Sequence, residues 1–140
     1  MGTAAPSALE DVEQLMHLPT MLLIDIRYAA RSRWRPSWNT SALQARWGSR
    51  YTHERGLSNA NYKDNGKPLA LVAPEQSVEG AADLLWKGYH LLLLCACRRD
   101  DETCHCRLVV SPITQRFAVL KRKRSLLAKL AFWRKREQER

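Results

Sequence analysis

Four cysteines and one histidine fall within twelve residues, from Cys95-Ala96-Cys97 to Cys104-His105-Cys106, directly after the apolar run Leu91 to Leu94. No other cysteine occurs in the chain. A strand that delivers soft ligands into a loop, followed by Cys-His at a helix start, is a common way to assemble a metal-binding or reactive site. As metal ligands, Cys95, Cys97, Cys104 and His105 make a tetrahedral set of the kind that holds zinc, although Cys-x-Cys is tighter than the usual knuckle. As a reactive site, Cys95 or Cys104 beside a helix N-terminus and Arg98, Arg99 or Arg107 would be favoured as thiolate. His105 would then serve as general base. The Cys-x5-Arg arrangement of phosphatases is absent, because Asp101 and Thr103 stand where the arginine would be. A third reading is packing alone, since buried cysteine behaves as a small hydrophobe. Cys106 stands apart in all of these: on a helix it points about 200° away from Cys104.

A second group of candidates surrounds the other strongly apolar run, Met21 to Ile26, which Asp25 interrupts. Burying a lone carboxylate is costly, so Asp25 requires a partner, and Arg27 is two residues along the same strand face. Asp25 and Arg27 are read either as a structural ion pair that shapes the loop or as site groups, Asp25 catalytic and both positioning an anionic ligand. Arg31 and Arg33 in the following loop extend the anion-binding set. Tyr51 and His53 are further acid/base or hydrogen-bonding candidates. Trp34, Trp38 and Trp47 interleave with Arg31, Arg33, Arg35 and Arg46. That pattern suits either core anchors or a stacking-plus-cation surface for single-stranded nucleic acid.

The elements that position these residues are legible from pattern. The spacing predicts a helix over 7–17 ended by Pro19, a strand over 21–26, and a short helix from an Asn39 or Thr40 cap through Trp47 with Gly48 as stop. A short strand is expected over 51–53, then a loop over 54–68 in which Asn59 and Asn61 build the turn and Asn65-Gly66 reverses the chain. Another short strand is expected over 69–72. Pro74 opens a helix through Lys87 that buries Val78, Ala81, Ala82, Leu85 and Trp86, with Gly88 terminating it. His90 to Leu94 is the last strand. A further helix begins at Thr103 or Cys104 and breaks or bends at Pro112. Alternating strands and helices predict one α/β domain with a small open, mostly parallel sheet flanked by helices. Such sheets carry ligand sites outside the carboxyl ends of their strands, so the Asp25/Arg27 and cysteine groups are expected to face one cleft.

The net charge of +9 is unevenly spread. Residues 1–115, the α/β domain, carry 13 Lys/Arg against 12 Asp/Glu, whereas residues 116–140 carry 10 against two. The segment 116–140 is therefore expected to be a basic amphipathic helix with Leu126, Leu127, Leu130 and Trp133 on one stripe. It either docks on the domain or contacts a polyanion or membrane surface. The nucleic-acid candidates are Lys121, Arg122, Lys123, Arg124, Arg134, Lys135 and Arg136. No run reaches the roughly 20 apolar residues of a membrane span, and the acidic N-terminal stretch does not suit a secretory signal. A cytoplasmic protein with reduced thiols is the expectation.

Four ordered motifs resemble the family called "domain of unknown function 488" over residues 21 to about 110. They are Leu23-Ile24-Asp25-Ile26-Arg27 followed by Ser32; Tyr51-Thr52-His53; Leu57-Ser58-Asn59-Ala60-Asn61-Tyr62-Lys63; and Leu93-Leu94-Cys95-Ala96-Cys97 followed by Cys104-His105. The resemblance implies a small α/β domain with its site at Asp25, Arg27, Cys95, Cys104 and His105, and no established activity. The chain departs from the family's usual pattern at Ala30, where proline is common, at Ser58, where glycine is common, and at Cys106, which intervenes before Arg107.

Together these features lead to two expectations. One is a thiol/histidine cleft that binds or acts on an anionic small molecule or nucleic-acid group. The other is a non-enzymatic module with a structural Cys/His cluster and a polyanion-binding tail.

Overall fold

A computed structural model describes residues 6–31, 33–64, 66–96 and 106–138, with side chains described between residues 9 and 125. Three parallel strands, β1 (Met21–Asp25), β2 (Tyr51–His53) and β3 (His90–Leu94), form a sheet in the order β2-β1-β3. Four helices accompany it: α1 (Pro6–Met16), α2 (Thr40–Trp47), α3 (Pro74–Trp86) and α4 (Cys106–Gln138). The expected small parallel α/β domain is what forms.

Strand order dictates where the helices go. The chain moves outward from β1 to β2, then returns across β1 to β3. Right-handed crossovers in opposite directions place their helices on opposite faces of the sheet. The core is accordingly double. Met16, Leu23, Trp38, Leu43, Tyr51 and Leu94 make one cluster, under α1 and α2. Ile24, Ile26, Leu57, Ala81, Val109 and Ile113 make the other, under α3 and α4. Both faces of β1 are covered, which is why it reads as a near-continuous apolar run, interrupted only by Asp25, rather than an alternating one.

The punctuation residues stand where expected, although the Asn39 side chain makes no capping bond to α2. Asn39 stands extended at the start of α2, its carbonyl accepting from the Leu43 amide at 2.9 Å. Gly48 closes α2 at φ +56° and Gly88 follows α3 at φ +97°, both conformations that a Cβ disfavours. In the loop after β2, the Asn59 side-chain oxygen accepts from the Asn61 and Ala70 amides, and the Asn61 amide group donates to the Pro68 carbonyl at 2.8 Å.

Three expectations are corrected. Residues 69–72 form no strand; a single antiparallel bridge joins Asn59 to Leu71, because the Asn59 side chain takes hydrogen bonds a ladder would need. Trp86 is 40% exposed rather than buried: it sits at the end of α3, with the Arg124 guanidinium over its ring at 4.9 Å. Pro112 does not break the last helix, which continues through it to Gln138. Losing one backbone bond there is offset by Val109, Ile113 and Leu120, which are buried where α4 packs on α3. The boundary between residues 115 and 116 falls inside α4.

Candidate functional site

Asp25 ends the central strand, so its backbone is held on both sides. Its carbonyl accepts from the Glu54 amide at 2.8 Å, and the next amide, Ile26, donates to Leu94 at 2.9 Å. Its side chain is wholly buried. The Arg27 Nε and Nη2 donate to its two oxygens at 2.8 and 2.7 Å, and the Arg27 amide adds a third bond at 3.1 Å. Tyr51 donates its hydroxyl to Asp25 Oδ2 at 2.6 Å. Arg27 Nη2 also donates to the Trp38 carbonyl at 2.6 Å, and His53 Nε2 lies 2.6 Å from the Arg27 carbonyl.

These contacts settle the electrostatics. Burial works against the Arg27 charge, but the hydrogen bond and charge of Asp25 outweigh it and raise its pKa. Burial, reinforced by the bond to Asp25, pushes the Tyr51 phenol up to about 12, so Tyr51 is a neutral donor and not a base at ordinary pH. No buried side-chain nitrogen or oxygen among the described residues lacks a hydrogen-bond partner. A bidentate pair that also accepts from Tyr51 and donates to the Trp38 carbonyl is a brace between β1, β2 and the turn before α2. The Arg27 guanidinium is turned inward rather than toward the rim.

The carboxyl ends of β1 and β3 are adjacent, with Asp25 opposite Leu94, as the single-cleft expectation requires. The side chains diverge, however. Asp25 is on the α1/α2 face with Tyr51, whereas Cys95 packs against the cluster of Ile24, Ile26 and Val109 on the α3/α4 face. Cys106, at the start of α4, packs on that same cluster. The cysteine set apart in the sequence therefore packs on the same core cluster as Cys95. Cys97, Cys104 and His105 lie outside the described residues, as do Arg98 and Arg99. Among the described residues no group of three or more His, Cys, Asp or Glu gathers as a metal site.

The basic residues divide by environment. Arg46 pairs with Glu13 and sits over Trp47, while Trp38 is buried and Trp47 packs at the edge of the core. Those tryptophans are core anchors. Arg31 and Arg33 are exposed, and Trp34 is 91% exposed. In the same loop after β1, the ring of Tyr28 stacks on that of Tyr62 at 4.3 Å, with the Arg55 guanidinium 4.1 Å over Tyr28. That stack joins the loops leaving β1 and β2, and no sequence spacing announces it. On α4, Arg116 bridges to Glu79 at 2.6 Å and Arg124 to Asp83 at 2.9 Å. Arg124, expected to reach a polyanion, is thus tied to α3. Hydrogen bonds from Arg116, and from Arg124 and Lys87, lower the Glu79 and Asp83 pKa values respectively. Lys121, Arg122 and Lys123 are exposed and take part in no ion pair among the described residues. Arg134, Lys135 and Arg136 continue α4 beyond the described side chains.

A groove of about 470 Å³ runs along the α3 side of β2, lined by Ile24, Thr52, Leu57, Ala81 and Leu84, with Ser77 donating to Glu54 at 3.1 Å at its polar end. No described helix is long and apolar enough to cross a membrane. Comparison with protein-family models, with curated proteins and with solved structures finds no match to this chain.

Proposed function

We propose that the protein is a cytoplasmic, non-enzymatic binding module for a polyanion, gripped by the outward cations of α4. One observation carries this reading: α4 sorts its charges by face. Val109, Ile113, Arg116, Leu120 and Arg124 recur at helical spacing; the three apolar members are buried and the two arginines are paired to α3. Lys121, Arg122 and Lys123 fall between those positions and face solvent. The same helix carries the basic sequence Arg134-Lys135-Arg136 further on. Polyphosphate-like ligands are bound by such arrays through release of their counterions, which makes binding steeply salt-dependent. The inward commitment of Arg27 and the apolar packing of Cys95 favour this reading over a thiol/imidazole cleft.

Fluorescence titration of the full-length chain with inorganic polyphosphate over a salt series tests it. The expected result is a steep fall in affinity with salt. The variant K121E/R122E/K123E should bind more weakly, with a log–log slope shallower by roughly 2 to 3. Absent or salt-independent binding by the wild-type chain overturns the proposal.

A further inference from the structure

We infer that the carboxyl rim of the sheet, on the loops leaving β1 and β2, binds single-stranded nucleic acid by stacking bases against Trp34 while Arg31, Arg33, Arg55 and Lys63 meet the phosphates. This goes beyond the reading of α4 and stands on different residues.

The first observation is Trp34 itself. Trp38 keeps 3% of its surface in solvent, whereas Trp34 keeps 91%. A large indole held in water between exposed Arg33 and the turn into Pro36 contributes little to the core and offers a broad stacking surface. The second is the Tyr28–Tyr62 stack, which carries Arg55 over one ring at 4.1 Å and Lys63 over the other at 5.6 Å. It links the β1 loop to the β2 loop, and both loops carry cations. The third is charge. Arg31, Arg33, Arg55 and Lys63 are all exposed, and none forms an ion pair among the described residues. The nearby Asp64 lies 4.0 Å from Lys67 instead.

Cations alone would suit any polyanion. Alternation of cations with aromatic faces suits a backbone whose charges alternate with flat bases, and such stacking tolerates any base. It requires unpaired bases, since a duplex hides their faces. A membrane surface would call for a contiguous apolar patch beside the cations, whereas Trp34 is flanked in sequence by Arg33 and Arg35. The rim also lies at the carboxyl ends of parallel strands, where open α/β sheets receive ligands.

Anisotropy of a fluorescein-labelled oligothymidylate with the full-length chain tests the inference, with inorganic polyphosphate as the charge-only probe. Trp34→Ala should weaken oligothymidylate binding roughly five- to 150-fold and leave polyphosphate binding unchanged. Trp34→Phe should retain most of the affinity, and a duplex of equal length should compete poorly. The exposure of Trp34 means that these variants keep the fold, which circular dichroism verifies. Unchanged oligothymidylate affinity in Trp34→Ala overturns the inference, as does an equal loss toward polyphosphate, equal competition by the duplex, or binding confined to vesicles containing anionic lipid. Wild-type binding to polyphosphate without binding to oligothymidylate also overturns it while leaving the reading of α4 intact.

Discussion

The guanidinium of Arg27 grips both oxygens of the wholly buried Asp25 carboxylate, at 2.8 and 2.7 Å, from only two residues along the chain. The pair is therefore formed by local chain geometry. Its environment is not local: Tyr51 from β2 and the Trp38 carbonyl complete it. Removing one partner leaves the other charged, buried and unpaired. Asp25→Ala and Arg27→Ala should each lower stability by about 3–5 kcal/mol, read as a shift in urea midpoint at constant slope. Exchanging both for well-packed apolar residues should cost less than either single change. Equal or greater loss in the double variant would show that the pair contributes net stabilisation.

The raised pKa of Tyr51 has a pH signature. Its folded-state value of about 12 lies above the ordinary value of 10, so from pH 10 upward the unfolded chain loses this proton first. The contribution is fully present below pH 10 and is lost as pH rises toward 12. Stability of the wild-type chain should fall across that window, and Tyr51→Phe should flatten this component of the fall. At neutral pH the same variant should be destabilised by about 1.5–3 kcal/mol, the range for a hydrogen bond to a charged group. Chemical denaturation at a series of pH values checks both.

Gly56 sits where the turn after β2 meets the start of α3. A Cβ there would lie 2.5 Å from Ser77 Oγ and 2.6 Å from the Ala73 carbonyl oxygen, while the Gly56 carbonyl accepts from the Ala73 amide at 3.0 Å. The serine can rotate away but the backbone carbonyl cannot do so alone. Gly56→Ala should cost roughly 1–3 kcal/mol, as overpacking does. Faster amide exchange at Ala73 would locate the damage.

Docking of α4 rests on its apolar stripe rather than on its ion pairs. Ile113 is 4% exposed, and Ile113→Ala should cost about 2–5 kcal/mol. The Arg116–Glu79 bridge is exposed and screened by solvent, so Glu79→Gln should leave the thermal midpoint near that of the wild type. A larger effect for Glu79→Gln than for Ile113→Ala would reverse this ranking.

Most elements and their ends were legible in local pattern. Runs of apolar residues, Pro74 as a helix opener, and Gly48 and Gly88 as terminators act over a few residues, so pattern alone locates them. The Asp25–Arg27 pair was legible for the same reason, as was the turn built by Asn59 and Asn61. The failures were places where a distant group competes: the Asn59 side chain displaced a strand over 69–72, and burial of Val109 and Ile113 carried a helix through Pro112. Tertiary structure alone decided which face each side chain shares. A strand's period of two gives the alternation of its own residues but not its register against a neighbour, and a slip of one residue would exchange the faces. The observed register sets Asp25 opposite Leu94, which sends Cys95 to the α3/α4 face and the carboxylate to the other. Asp25 and Cys95 thus close adjacent strand ends while their side chains lie on opposite faces.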